Sequence, residues 1–163
     1  MKKTNRTDHL LRITAALCLA AVFVALVSQH IFGMEPCAWC VLQRLILLVI
    51  AVVCLVTAGG WGSRTLRGLG ALLTLALSVG GVIAAWYQYS VAAHSFSCAQ
   101  TFADKFISGT GLDADMPWLF GIYASCMDAR VSLLGIEYSL WGLMLFALCG
   151  VLALWSLARC RRD

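Results

Sequence analysis

Residues Leu45–Ser63 read LILLVIAVVCLVTAGGWGS, an apolar run without a charged side chain that ends in a glycine-rich turn. A helix needs about 20 mostly apolar residues to cross a bilayer. Three other long stretches also lack Asp, Glu, Lys and Arg, namely Ile13–Met34, Gly68–Ala103 and Tyr138–Ala158. Helices satisfy their own backbone hydrogen bonds in lipid, and the alternating pattern of a membrane barrel is absent. We therefore predict an all-α integral membrane protein.

The composition supports the membrane class, because 61% of the 163 residues are hydrophobic and only 12% are charged. Such a chain has too little polar surface for a soluble domain. We place the spans at about 10–31, 36–58, 69–89 and 138–158, within a single membrane domain of residues 1–163. Short turns favour an antiparallel four-helix bundle with two outer loops. The first span has the basic start of a signal peptide, but its apolar run is longer, so we expect it to be retained.

Positive charge is distributed unevenly between the two sides of this bundle. Nine of the 12 Lys and Arg residues lie before span one, between spans two and three, or after span four: Lys2, Lys3, Arg6, Arg12, Arg64, Arg67, Arg159, Arg161 and Arg162. The opposite side holds Arg44, Lys105 and Arg130. Cytoplasmic loops carry the excess of basic residues, so both termini are predicted to be cytoplasmic. This asymmetry also accounts for the net charge of +4, without a nucleic-acid partner.

The segment Cys37-Ala38-Trp39-Cys40 stands at the outer start of span two. A C-x-x-C sequence is the compact form of a reversible dithiol and disulfide. We expect the helix to begin at Pro36, which would place both sulfurs in its first turn, where the helix dipole favours a thiolate. Arg44 falls on the same face as the two cysteines. Gln43 is a candidate hydrogen-bond partner for a carbonyl-bearing ligand, although it could also face a neighbouring helix.

Arg44 has two interpretations. A charge at the bilayer centre costs at least about 2.5–3.5 kcal/mol, and less near the interface, so a thiolate or an electron-rich ligand ring is expected to offset it. Alternatively, the side chain extends to lipid headgroups. The nearby Cys40 favours the functional interpretation.

Two more cysteines, Cys98 and Cys126, lie in the outer loop of residues 90–137 and face the oxidising side with the C-x-x-C. They could form a structural staple or a second redox pair, and two pairs suggest electron transfer from one pair to the other. The loop segment from Phe102 to Ile107 has the pattern of a short amphipathic helix. Inert roles are predicted for the remaining cysteines, which lie within spans or at the cytoplasmic end: Cys18, Cys54, Cys149 and Cys160.

These features resemble the DsbB family of inner-membrane disulfide bond formation proteins, or its closely similar DsbI branch, which serves a dedicated partner. The matching segments are residues 36–44, the loop from Cys98 to Cys126 with Pro117-Trp118, and Leu134-Gly135-Ile136-Glu137 leading to Trp141. The resemblance covers nearly the whole chain.

The resemblance implies a route for electrons through two redox disulfides, Cys37–Cys40 and Cys98–Cys126. Cys98 would form the mixed disulfide with a DsbA-like periplasmic thiol oxidase, and Cys126 would exchange with Cys37. Cys40 would then face a bound quinone, ubiquinone or menaquinone, with Arg44 nearby. Electrons would pass to the membrane quinone pool.

Two positions depart from the family pattern. Many members have a histidine four residues before the glutamine near the end of span three, where this chain has Ala84 before Gln88. Many also have a proline shortly before Trp141, where this chain reads Tyr138-Ser139-Leu140. The first departure leaves the proton-transfer residue open, whereas the second affects the start of span four.

Three other functions compete with this interpretation. A vitamin K epoxide reductase-like protein also uses two cysteine pairs and a quinone, but there the loop pair precedes the C-x-x-C. A zinc site usually shows two C-x-x-C knuckles or histidines at knuckle spacing, and this chain has one C-x-x-C, so no metal is expected. An inert bundle with a structural disulfide leaves Arg44 unexplained.

Overall fold

The computed structural model describes residues 6–59, 63–94 and 100–160, which form a helical bundle. Within these ranges, four helices are long and apolar enough to cross a membrane. They are α1 (Arg6–His30), α2 (Ala38–Ala58), α3 (Arg64–Ser90) and α7 (Tyr138–Cys160). The predicted four-helix membrane bundle is therefore confirmed. The predicted turn at Gly59–Ser63 lies largely outside the described residues, although Gly59 ends α2.

Shorter elements connect α3 to α7 at one end of the bundle. A 3₁₀ turn, Ala92–His94, follows α3, and three short helices come later: α4 (Phe102–Thr110), α5 (Leu112–Asp115) and α6 (Pro117–Phe120). The strands β1 (Ser132–Leu133) and β2 (Ile136–Glu137) then form an antiparallel hairpin. We call this end of the molecule the cysteine end, because Cys37, Cys40 and Cys126 lie here.

The hairpin was not predicted from the sequence. Leu134 and Gly135 occupy its two-residue turn with φ angles of 55° and 80°. Two successive positive φ angles are typical of a type I′ turn, whose twist matches that of the paired strands. The Trp141 indole of α7 donates a hydrogen bond to the Leu133 carbonyl at 3.3 Å, which holds the hairpin against the helix.

Arginine side chains tie the helices together at the opposite end, which we call the basic end. Arg12 of α1 donates to the Ala58 carbonyl at 3.3 Å, and Arg64 donates to the Cys160 carbonyl at 2.7 Å. Arg67 forms an ion pair with Asp8 at 3.0 Å. These contacts join the start of α1 and the end of α7 to the junction of α2 and α3, as an antiparallel arrangement requires.

The core runs along the bundle axis and uses small residues at the closest helix contacts. Buried residues of α1, α2 and α7 meet there, including Leu11, Ile50 and Phe146. Gly81 of α3 faces the buried Phe146 ring, and a Cβ atom at this position would lie only 2.3 Å from the ring. Lipid tails are as apolar as the contact between two helices, so the hydrophobic effect does not drive helix association in a bilayer. Close packing of this kind drives it instead.

Gly81→Ala is expected to destabilise the bundle by about 1–3 kcal/mol, since the new methyl group overpacks the α3–α7 contact. Thermal unfolding in detergent micelles measures the change. Gly80→Ala is the matched control, because nothing lies within 4 Å of a Cβ atom at Gly80. Alanine is also the better helix former, so this neighbour should be neutral or slightly stabilising. Equal stability of the two variants would contradict the packing interpretation.

The outer helix predicted at Phe102–Ile107 is present as α4. Thr101 caps it, since its hydroxyl accepts from the Asp104 N–H at 3.4 Å while the Asp104 carboxylate accepts from the Thr101 N–H at 2.8 Å. Ala103 and Ile107 are buried against α2, whereas Phe102 and Phe106 stack on the exposed side. The element therefore has the predicted two-faced character and covers the start of α2.

Candidate active site

The C-x-x-C segment straddles the start of α2. Cys37 is the N-cap residue with an extended backbone, and the helix proper begins at Ala38. The prediction that the helix begins at Pro36 was wrong. The Pro36 carbonyl instead accepts hydrogen bonds from the Tyr123 and Ala124 N–H groups, so the chain enters the helix two residues later.

The helix start brings the two sulfurs together without a covalent bond. Cys37 is fully buried and Cys40 is half-buried, with their Sγ atoms 3.4 Å apart. Both are free thiols.

Tertiary structure brings a third cysteine to this pair. The two hydrogen bonds to the Pro36 carbonyl hold residues 123 and 124 beside the start of α2. Cys126 follows directly, and its Sγ atom lies 2.8 Å from that of Cys37. Hydrogen bonding with Cys126, together with burial, raises the pKa of the Cys37 thiol to about 12. Cys37 is therefore protonated at neutral pH in this arrangement and lies between two sulfur neighbours.

Cys98 lies outside the described residues. Its predicted pairing with Cys126 stays a prediction, as does the Cys37–Cys40 disulfide. The described residues show that Cys126 lies beside Cys37, although the two residues are distant in sequence.

Gln88 of α3 supports the sulfur of Cys40, and Gln43 of α2 in turn bonds Gln88. The Gln88 amide donates to Cys40 Sγ at 3.1 Å and approaches Cys37 Sγ at 3.7 Å. Its carbonyl accepts from the Gln43 amide at 2.6 Å. Both side chains are buried, and Gly142 of α7 leaves room for the Gln43 carboxamide. Gln43 therefore orients Gln88, and Gln88 places a donor against the sulfur, where it would stabilise negative charge.

Arg44 is buried and turned into the protein, with 6% of the residue exposed. The guanidinium donates to Gln29 Oε1 at 2.6 Å, the Leu119 carbonyl at 3.2 Å and the Ala25 carbonyl at 3.4 Å. Neutral acceptors on α1 and α6 thus hold the group in place, and no carboxylate among the described residues forms an ion pair with it. A positive charge near Cys40 is available to an anionic sulfur or to a polarised ligand.

A cavity of about 280 Å³ opens beside these residues, between α1, α2 and the start of α7. Cys40, Gln43, Arg44 and Gln88 form its polar side. The remaining wall is largely apolar: Ala21, Val24, Leu47, Leu145 and Trp141. A mostly apolar cavity with a few convergent polar groups is typical of a binding site for a small organic ligand.

The other cysteines lie away from this cluster. Cys18 and Cys149 approach each other at 3.8 Å inside the bundle, and Cys54 contacts Thr74 at 3.3 Å. The Cys160 thiol donates to the Arg64 carbonyl at 3.3 Å at the basic end. All four are buried, as a structural role requires.

Sequence reasoning missed three residues of the site, Gln29, Gln88 as a hydrogen-bond donor, and Tyr138. Gln29 holds Arg44, Gln88 holds Cys40, and Tyr138 lines the cavity. The available signal was polarity, because an amide within an apolar span is costly and usually has a partner. The sequence alone did not reveal which partner each would meet.

Together, the fold and the site define a class: a four-helix membrane protein with a cysteine cluster at one end, beside a ligand-sized cavity. The family model for disulfide bond formation protein DsbB matches residues 7–156. The chain therefore belongs to the DsbB family and is a membrane protein of disulfide bond formation.

Curated relatives agree with this assignment. The chain is 31% identical over 162 residues to disulfide bond formation protein B 1 of Pseudomonas putida, covering 99% of this chain and 96% of the relative. It is 33% identical over 162 residues to disulfide bond formation protein B of Polaromonas naphthalenivorans, covering 95% and 93%. Similarity therefore extends over nearly the full length of each protein.

Proposed function

We propose that this protein is a quinone-dependent thiol oxidase that re-oxidises a DsbA-like periplasmic oxidase and passes the electrons to a membrane quinone. The observation that carries the proposal is the position of Cys37. Its sulfur lies 2.8 Å from Cys126 and 3.4 Å from Cys40, and Cys40 borders the cavity with Arg44. Such a line of sulfurs supports electron transfer from the outer loop to the cavity.

The exchange chemistry follows from this order. One client thiolate attacks Cys98, so a client–Cys98 disulfide forms as the Cys98–Cys126 bond breaks and Cys126 leaves as a thiolate. The second client thiolate then attacks the client sulfur of this mixed disulfide, so the client leaves as a disulfide and Cys98 leaves as a thiolate. Cys126 then attacks Cys37 of the Cys37–Cys40 disulfide, so the Cys37–Cys126 bond forms as the Cys37–Cys40 bond breaks and Cys40 leaves as a thiolate. Attack by the Cys98 thiolate on Cys126 restores the outer disulfide and leaves Cys37 and Cys40 reduced.

The residues around the cavity suit a quinone. Cys40, Gln43 and Arg44 would hold its polar ring at the cysteine end, while the apolar wall from Val24 to Leu145 would contact its hydrocarbon portion. A bound quinone supplies a two-electron acceptor. Arg44 stabilises negative charge at the polar side, and Gln88 keeps the Cys40 sulfur oriented towards the cavity. In this proposal the quinone is ubiquinone or menaquinone. The client is either a general oxidase or a dedicated partner of the DsbI type.

The test is a purified-protein assay with a reduced thioredoxin-like oxidase as electron donor and a soluble ubiquinone or menaquinone analogue as acceptor. Quinol formation should equal client disulfide formation, one for one. Thiol counting by alkylation and metal analysis are run on the same sample. Client oxidation that continues beyond the protein's own two disulfides without quinol formation would overturn the proposal, as would a stoichiometric metal ion bound by the cysteines.

The proposed setting is the bacterial inner membrane, with both termini cytoplasmic and the cysteine end periplasmic. A membrane-impermeant thiol reagent, applied to reduced intact spheroplasts, is then expected to label cysteines of the cysteine end, with Cys126 and Cys98 most reactive. Cys160 lies at the basic end beside Arg64 and should stay unlabelled until the membrane is permeabilised. Labelling of Cys160 in intact spheroplasts would reverse the orientation.

A further inference from the structure

Tyr138 occupies a position on the cavity wall that the electron route does not use. It begins α7, and its backbone N–H donates to the Val131 carbonyl at 2.9 Å, which anchors the helix start. The side chain is half-buried and lines the same cavity as Cys40 and Arg44. Its hydroxyl faces the Ser28 side chain of α1, which also lines the cavity.

A transferable proton is scarce in this cavity. Among the described lining residues, the titratable ones are Glu35, Cys40, Arg44 and Tyr138. Arginine does not release its proton in proteins, and Cys40 supplies electrons. Glu35 is exposed at the rim, in contact with solvent. Tyr138 is the remaining group, and a tyrosine hydroxyl carries its proton at neutral pH.

We propose that Tyr138 donates a proton to a quinone oxygen and that Ser28 relays protons to it; this rests on the function proposed above. The Cys37 and Cys40 thiols give up two electrons, close to a disulfide and release two protons to solvent. The net change at the quinone is a gain of two electrons and two protons. Tyr138 supplies one proton and regains one from solvent through Ser28, so the phenol is unchanged after each turnover. The second proton comes from solvent.

Tyr138→Phe removes the hydroxyl and keeps the ring that shapes the cavity. Quinone reduction is expected to fall on the order of 10- to 100-fold, the usual contribution of a positioned acid. The parental rate should be nearly flat between about pH 6 and pH 8, whereas the variant's rate should fall as pH rises, because its proton then comes from solution. In the absence of quinone, a single round of client oxidation by the protein's own disulfides should be unchanged.

Quinone binding provides a readout that does not depend on turnover. Trp141 lines the cavity, so an oxidised quinone analogue should quench its fluorescence. Tyr138→Phe should weaken binding by about 3- to 10-fold, the effect of one lost hydrogen bond. Ser28→Ala should produce a smaller loss of rate with the same dependence on pH. Tyr123→Phe is the matched control, because this exposed tyrosine lies at the same end and bonds the Pro117 carbonyl.

The outcomes separate the two proposals. A Tyr138→Phe protein with the parental rate, pH profile and quinone affinity overturns the role of Tyr138. A uniform loss of rate with a flat pH profile and parental affinity also overturns it, because that pattern indicates a structural role. If Tyr138→Phe does not fold, a Ser28→Ala protein with the parental rate and flat profile decides against the relay. A parental protein that reduces no quinone overturns the proposed function instead.

Discussion

A Cys40→Ser protein is expected to lose quinone reduction by on the order of 1,000-fold or more, the scale seen when a nucleophile is removed. Cys37 then has no partner within the C-x-x-C segment. Because the Cys126 sulfur lies 2.8 Å from that of Cys37, a Cys37–Cys126 disulfide is expected to accumulate instead. Attack of Cys37 on the outer disulfide forms that bond and releases Cys98 as a thiolate. Peptide mapping under non-reducing conditions identifies the linkage, and the quinone assay measures the loss.

The companion variants divide the route into its two halves. Cys98→Ser should abolish the mixed disulfide with the client oxidase, whereas Cys40→Ser should still allow it, because the released Cys98 thiolate can attack the disulfide of an oxidised client and displace one client sulfur as a thiolate. Cys54→Ser is the matched control, since Cys54 lies in the same helix and contacts Thr74, which a serine hydroxyl can also do. A Cys40→Ser protein that reduces quinone at the parental rate is incompatible with the proposed route. So is a Cys40→Ser protein in which Cys37 remains a free thiol while Cys98–Cys126 stays oxidised.

Arg44→Gln should lower quinone reduction on the order of 100-fold, the scale of losing one preorganised charged donor at a reacting group. The reason is geometric, because three neutral acceptors hold the guanidinium at the cavity without cancelling its charge. The second readout is the alkylation rate of reduced Cys40, which should fall as the anionic sulfur loses a nearby cation. A single round of client oxidation without quinone should persist, because the client reacts with the cysteines of the outer loop.

Two variants show whether charge or packing is responsible. Arg44→Lys keeps the charge but not the planar fork that reaches both Gln29 and Leu119, so it should rescue quinone reduction only in part. Arg130→Gln makes the same substitution at an exposed site of the same end and should leave the rate unchanged, because an exposed ion pair contributes little. Parental kinetics and parental Cys40 alkylation in Arg44→Gln would reduce Arg44 to a structural link between helices.

The membrane class could be predicted because its cause is local. A long apolar run without charges must avoid water, and a helix is the way for a single segment to satisfy its backbone in lipid. The four long helices appear where such runs were found. The helix α4 was also predictable, since Thr101 and Asp104 form a capping box and its apolar side chains follow helical spacing.

Predictions about boundaries depended on contacts that the sequence does not display. Pro36 is compatible with a helix start, yet α2 begins at Ala38 because the Pro36 carbonyl is engaged by the loop at Tyr123 and Ala124. The two-stranded hairpin was missed because its turn is Leu134-Gly135. Leucine rarely adopts positive φ, so this pair is a weak turn signal.

The sequence by itself determined the membrane class and the number of candidate spans, and it singled out the C-x-x-C segment around which the candidate site is built. The first two properties follow from long hydrophobic runs without charged residues. Only the tertiary structure decided which groups meet. The adjacency of Cys126 to Cys37, the Gln88 donor at Cys40 and the closure of a cavity beside Arg44 join residues from different helices. Helix packing and loop docking set such distances, because they depend on which faces pack together and not on spacing along the chain.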